Sequence, residues 1–279
     1  MKIKVSELFY SIQGEGLWMG VPSIFLRTFG CNFTCQGFGM PRGQLSQQIS
    51  PIAIHHEKMP YLSYGELPLV STGCDSYASW HPSFKDLSPM MEIQDITARM
   101  MELLPYQSWH GAHLVITGGE PLLGWQRAYP DLLRDPLMEG LRYVTFETNG
   151  TQFLTKEFAA FLETSWVDLT FSISPKLGNS GELREAAIRP DVVAQYMEYA
   201  DNIYLKFVVA TEEDLHEALE VTDLYKQEGF QGPVYLMPVG GVESVYALNN
   251  KQVAEMALKH KLRYSDRLQV PLFKNAWGT

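Results

Sequence analysis

Cysteine is scarce in this chain: three in 279 residues, at Cys31, Cys35 and Cys74. Three cannot close a set of disulfides. They also fall one short of a tetrahedral structural zinc site built from four N/S ligands. Basic side chains are few as well, with 22 Lys and Arg against 32 Asp and Glu, for a net charge of −10. That balance argues against tight non-specific nucleic-acid binding, which needs a basic surface. It leaves room for a small anionic substrate, which needs only one or two well-placed cations. No apolar run reaches the length of a membrane span, so no membrane association is expected. No apolar signal region precedes the alternating Met1-Lys2-Ile3-Lys4-Val5, and a cytoplasmic location, where thiols stay reduced, is expected. Internal repeats, low-complexity tracts and convincing linkers are all missing, so residues 1–279 read as one domain.

What the chain does contain begins with the cysteines. Cys31 and Cys35 lie four apart, just after an apolar run, Ile24-Phe25-Leu26, that reads as a buried strand. Cys74 is far along the chain. Three unrelated buried thiols are one reading, since free cysteine is among the most buried residue types. The same three can hold three irons of a 4Fe–4S cube, leaving the fourth iron to a ligand that is not protein.

Periodicity gives an α/β chain. Strands are expected at 3–13, 23–29, 113–117, 143–147, 167–173, 203–209 and 234–238, with a short one at 65–70. Helices are expected at 92–104, 121–139 (broken near Pro130), 154–163, 189–200, 212–228 with Thr211 as N-cap, and 242–261. Six core strands alternating with helices imply a parallel sheet with right-handed crossovers. Functional groups should then gather at the C-terminal strand ends. Residues 36–73 show no clear period and read as a long functional or disordered loop. The seven histidines, His55, His56, His81, His110, His113, His216 and His260, are scattered and read as solvated or structural.

Three motifs fall at strand ends. Thr117-Gly118-Gly119-Glu120-Pro121 offers two glycines where backbone can approach a ligand, ahead of an expected helix N-terminus; taken alone it is also an ordinary turn. Glu147-Thr148-Asn149-Gly150 ends the next strand, and Asn-Gly commonly marks a turn. Ser174-Pro175-Lys176 ends the one after. Lys206 sits inside an apolar strand, as either a barrel-facing group or an edge lysine. Arg27, four residues before the first cysteine, suits bidentate binding of a carboxylate or a half-buried salt bridge. Ser76 offers either a turn hydroxyl or an oxygen for a hard cation.

Taken together, these segments resemble the 7-carboxy-7-deazaguanine synthases, radical S-adenosylmethionine (SAM) enzymes of the queuosine pathway. The resemblance rests on Tyr10-Ser11-Ile12-Gln13-Gly14-Glu15-Gly16, Gly20-Val21-Pro22-Ser23 and Arg27-Thr28-Phe29-Gly30-Cys31-Asn32, with the three strand-end motifs. The family pattern is Cys-x3-Cys-x2-Cys. Here Phe38 stands at the third position, while Cys74-Asp75-Ser76-Tyr77-Ala78-Ser79-Trp80 resembles the family's third cysteine and its tail. The simplest account is an insertion, residues 36–73, forming a subdomain or flap.

The resemblance implies a partial (β/α) barrel, a 4Fe–4S cluster on Cys31, Cys35 and Cys74, and SAM held by Gly118, Gly119, Glu120, Ser174, Pro175 and Lys176. It implies a pterin substrate met by Ile12, Gln13, Gly14, Arg27, Thr117 and Asn149, with Mg²⁺ on Ser76. The implied reaction is that of a lyase: a radical derived from SAM takes hydrogen from 6-carboxy-5,6,7,8-tetrahydropterin, whose ring contracts with loss of ammonia. SAM is regenerated, and no side chain needs to carry the radical. An external one-electron donor and a homodimer are implied too. Glu15 is left without a role. Family members carry Gln-Leu-His where this chain has Pro271-Leu272-Phe273, so the resemblance supplies no tail contact to the substrate. Two rivals stand beside this reading: another radical SAM enzyme, such as a glycyl-radical activase, and a non-catalytic protein that keeps the fold. The first is opposed by Ile12-Gln13-Gly14-Glu15-Gly16 and Glu147-Thr148-Asn149-Gly150. The second draws on the altered cysteine spacing.

Overall fold

A computed structural model describes residues 1–279. The strands are β1 (Lys2–Ile12), β2 (Pro22–Thr28), β3 (Met90–Glu92), β4 (His113–Gly118), β5 (Tyr143–Thr148), β6 (Asp168–Ile173), β7 (Asn202–Val209), β8 (Val234–Pro238) and β9 (Arg263–Tyr264). The helices are α1 (Ile49–Lys58), α2 (Ile93–Leu103), α3 (Tyr129–Arg134), α4 (Lys156–Leu162), α5 (Arg184–Ala187), α6 (Pro190–Met197), α7 (Glu212–Gln227), α8 (Glu243–Lys259) and α9 (Gln269–Phe273). All nine strands form one sheet in the order β3-β1-β2-β4-β5-β6-β7-β8-β9. From β2 through β9 every pairing is parallel, while β1 pairs antiparallel with both β2 and β3. No hydrogen bonds join β3 to β9, so the sheet is an open, partial barrel.

The six expected core strands are all present within a residue or so. Parallel strands covered on both faces read as near-continuous apolar runs, and β4 is buried along its whole length. Thr211 caps α7, its hydroxyl accepting from the Asp214 amide while the Asp214 carboxylate accepts from the Thr211 amide. Helix and strand packing meet in a core that includes a run of aromatic rings: Phe171 stacks on Tyr196 at 4.5 Å and on Phe146 at 5.9 Å.

Other expectations are corrected. Residues 65–70 form no strand; a 3₁₀ turn at Tyr64–Glu66 leads into irregular chain. Within 121–139 the regular α-helix is short, and Pro130 lies in the first turn of α3 instead of breaking it, where its missing N–H is not needed. Residues 36–73 hold a real helix, α1, whose buried Ile49, Ala53 and His56 follow helical spacing. This region has a small core of its own, in which Ile49, Ala53, Tyr64, Leu67 and Val70 pack with Tyr77, Ala78 and Phe84. Trp277 from the chain's end joins it, edge-on to Tyr64 and Tyr77. His56, on α1, bonds Asp86 at 3.0 Å and is structural.

Phe171→Ala should cost about 3–5 kcal/mol, the usual loss for a fully buried aromatic ring. A urea unfolding midpoint that drops accordingly, with an unchanged slope, would bear this out.

Candidate active site

One large cavity opens at the C-terminal ends of the parallel strands. Every site residue expected from the sequence lines it except Glu120 and Pro175. The three cysteines, one of them some forty positions from the others, are all free and all in this lining. The loop after β2 carries Cys31 and Cys35, with Cys35 in the left-handed region at φ 49°. Burial, above all, pushes the Cys31 thiol up to about 12 and Cys74 to about 11, and drives Cys35 up as well. A thiolate here needs cations beside it, and bound iron would supply them. No three side chains converge closely enough to hold a single metal ion. A four-iron cube does not require that, because its thiolates sit on separate irons. The donor set therefore fits the cluster.

The Gly-Gly turn is shaped by contact. Gly118 has φ 155°, and a Cβ on Gly119 would meet the Gly30 carbonyl and lie 2.7 Å from Cys31 Cβ. Backbone from β4 thus lies directly against the first cysteine. Glu120 faces inward, away from the cavity. It is fully buried, and its carboxylate accepts from Thr148 Oγ1 (2.7 Å), the Asn149 amide (2.7 Å) and the Leu122 amide (3.0 Å). It braces one motif against the next, which its place in the sequence motif does not reveal. Asn149 has a similar inner role, donating to Asn32 Oδ1 at 2.9 Å and accepting from Thr151. Lys176 donates to Ser174 Oγ at 3.0 Å.

On β2, beside Thr117 of β4, Arg27 Nε pairs with Glu7 at 2.8 Å and Nη1 donates to Ser76 at 3.2 Å. Arg27 thus makes a half-buried salt bridge, and it also lines the cavity. Gln13 donates to Glu147 at 3.1 Å.

Lys206 faces into the barrel and pairs with Glu15, which the sequence left without a role. Arg267 reaches Glu15 at 3.2 Å, Asp75 at 2.5 Å and the Gly240 carbonyl at 2.5 Å. Gln269 donates to Glu15 at 2.8 Å. Sequence reasoning missed Glu7, Arg267 and Asp75, because their partners are distant in the chain and leave no local pattern. It also gave the tail no role, yet Arg267, Gln269 and residues 275–279 are part of the lining, as are Phe38, Leu69 and Gly73 from the 36–73 region. The Trp277 indole donates to the Leu67 carbonyl at 3.0 Å, joining these two walls.

No protein-family model matches the chain. A 7-carboxy-7-deazaguanine synthase of Halobacterium salinarum is 31% identical over 293 residues, spanning 98% of this chain and 91% of that protein. The chain belongs to the 7-carboxy-7-deazaguanine synthase family. A second member, from Pyrobaculum aerophilum, is 25% identical over 99% of this chain and 97% of its own length. The crystal structure of QueE from Escherichia coli matches with a TM-score of 0.57 and 21% identity, covering 95% of this chain and 93% of that one, and shows the shared fold. Membership agrees with the open barrel. No helix is long and apolar enough to cross a membrane.

Two outcomes follow from this geometry. Gly119→Ala should displace the Cys31 loop and lower cluster affinity by about tenfold or more, read as iron retained after reconstitution at unchanged secondary structure. Glu15 gives a pH test. Burial would raise its carboxyl, but Lys206 and Arg267 outweigh burial and hold it down at about 2, against an ordinary 4.5. Its pairing therefore stabilises fully above the ordinary value and is lost as pH falls toward the depressed one. Glu15→Gln leaves two buried cations short of a carboxylate, costing about 3–5 kcal/mol at neutral pH. In unfolding measurements the gap to wild type should be constant above about pH 5 and narrow as pH falls toward 2.

Proposed function

We propose that this chain converts 6-carboxy-5,6,7,8-tetrahydropterin to 7-carboxy-7-deazaguanine with loss of ammonia, as a radical SAM lyase. The observation that carries the reading is the meeting of Cys31, Cys35 and Cys74 in one cavity with the polar groups a small anionic heterocycle needs. Family membership over nearly the whole chain supports it. When bound, the cluster and SAM together supply the radical that starts the reaction.

The remaining work is done by the protein's own groups. Cys31, Cys35 and Cys74 would hold the 4Fe–4S cluster. Gly118 and Gly119 let SAM approach the backbone beside Cys31, and Ser174 and Lys176 face the same space. Glu120 and Pro175 support this side from outside the lining. From β2, Arg27 offers a cation to the substrate carboxylate, already oriented by Glu7. Gln13, with Ile12, Gly14, Thr117 and Asn149, frames the pterin, and the Gln13–Glu147 pair offers it both a donor and an acceptor. Ser76 Oγ, hydrogen-bonded to Arg27, would take part in binding Mg²⁺ together with substrate oxygens. The 36–73 region and the tail wall the cavity, which favours exclusion of water and oxygen. The same reading includes a cytoplasmic setting, an external one-electron donor and a homodimer.

Anaerobic turnover tests the reading. Reconstituted protein with SAM, Mg²⁺, a strong reductant and the tetrahydropterin should yield 7-carboxy-7-deazaguanine by mass spectrometry, and Cys74→Ala should abolish it. SAM cleavage without that product would favour another radical SAM substrate. Failure to take up a cluster would favour the non-catalytic reading.

A further inference from the structure

The loop that carries Cys31 and Cys35 is held from behind by a carboxylate that does not line the cavity. Glu182 Oε1 accepts from the Cys35 amide at 2.7 Å, the Thr34 amide at 2.8 Å and the Thr34 hydroxyl at 3.1 Å. Glu182 follows the turn Gly178–Ser180, and the turn itself is fixed in place. The Gly37 amide donates to the Ser180 carbonyl at 2.8 Å. A Cβ on Gly37 would come within 2.7 Å of the backbone at Asn179, Ser180 and Gly181, so the two loops touch main chain to main chain. The Gly178 amide donates to Glu217 on α7 at 3.0 Å, and Glu217 is also held by Arg42 at 2.6 Å. Glu182 is thus a fixed charge on a braced turn, aimed at the amides of a cluster-ligand loop.

Amide hydrogens near an iron–sulfur cluster matter because hydrogen bonds to its sulfurs, together with local charge, set its reduction potential. Donors to sulfur stabilise the reduced, more negative cluster, and so do nearby cations. An N–H that donates to a carboxylate is taken from that role, and the carboxylate adds negative charge. We infer that Glu182 is a positioning residue that keeps the cluster's reduction potential low, by withdrawing the Thr34 and Cys35 amides from the cluster sulfurs and placing an anion behind Cys35. A low potential suits an electron that must be passed on to cleave SAM. The same three bonds hold Cys35 in its left-handed conformation, which a residue with a side chain adopts only when its surroundings fix it. Lys176, on the cavity side of the same loop system, is the opposing cation. The inference rests on the cluster assignment made above.

The test is an EPR-monitored redox titration of the reconstituted full chain as wild type, Glu182→Gln and Glu182→Ala, with iron and sulfide measured on each. Glu182→Gln keeps an acceptor oxygen and loses the charge, so it should retain wild-type iron and shift the midpoint positive. Glu182→Ala also frees the amides and should shift it further. Loss of the cluster in Glu182→Ala, alongside a positive shift in Glu182→Gln, would also support the inference. Unchanged midpoints in both variants at full iron content would overturn it. So would a Glu182→Gln variant that takes up no cluster, since the role would then be structural. Wild type that takes up no cluster would sink the inference together with the function. Wild type with a cluster but no 7-carboxy-7-deazaguanine would sink the substrate reading alone and leave the titration decisive.

Discussion

Four charged side chains from four parts of the chain meet in the lining of the cavity. Glu15 comes from the turn after β1, Lys206 from the middle of β7, Asp75 from the residue after the third cysteine, and Arg267 from the tail. Burying such groups is costly unless each is paired and hydrogen-bonded. Here the pairs are complete, with Gln269 and the Gly240 carbonyl taking further bonds. The network therefore makes one demand of the fold. The barrel, the Cys74 segment and the tail must be in place together, or a charge is left buried alone. That constraint links the far cysteine to the barrel as surely as backbone pairing links the near two.

The same logic explains how a third cysteine so distant in sequence still faces the cavity. The chain between Gln36 and Gly73 does not hang loose. It folds over a small apolar core, ties to α7 through Arg42, and is pinned by Trp277 from the opposite end of the chain. Cys74 leaves this cap as the Asp75–Arg267 pair draws it inward. Residues of this region and of the tail form part of the cavity wall.

Much of this was legible in the sequence, for physical reasons that differ by element. The six core strands declare themselves because strands covered on both faces must be apolar throughout. Thr211 declares α7 because its cap is a local, short-range bond. The strand-end glycines are visible because close backbone approach permits little else, as at Gly118 and Gly119. What stayed hidden depends on pairing across long stretches of chain. Glu7 with Arg27, Glu182 with Cys35 and Arg267 with Asp75 leave no period to read. Glu120 shows the converse: its motif places it at the cavity, while three hydrogen bonds turn it inward. In α1 the buried Ile49, Ala53 and His56 follow helical spacing, but the stretch is short, begins without a side-chain cap, and lies among turn residues.

The site turns on whether the three thiols hold one four-iron cluster with an iron left open to SAM. This is tested most directly by EPR of the anaerobically reconstituted, reduced protein before and after SAM is added. About four irons per chain are expected, with a spectrum that changes when SAM binds. A cluster whose spectrum ignores saturating SAM, or a protein that retains no iron, would contradict it.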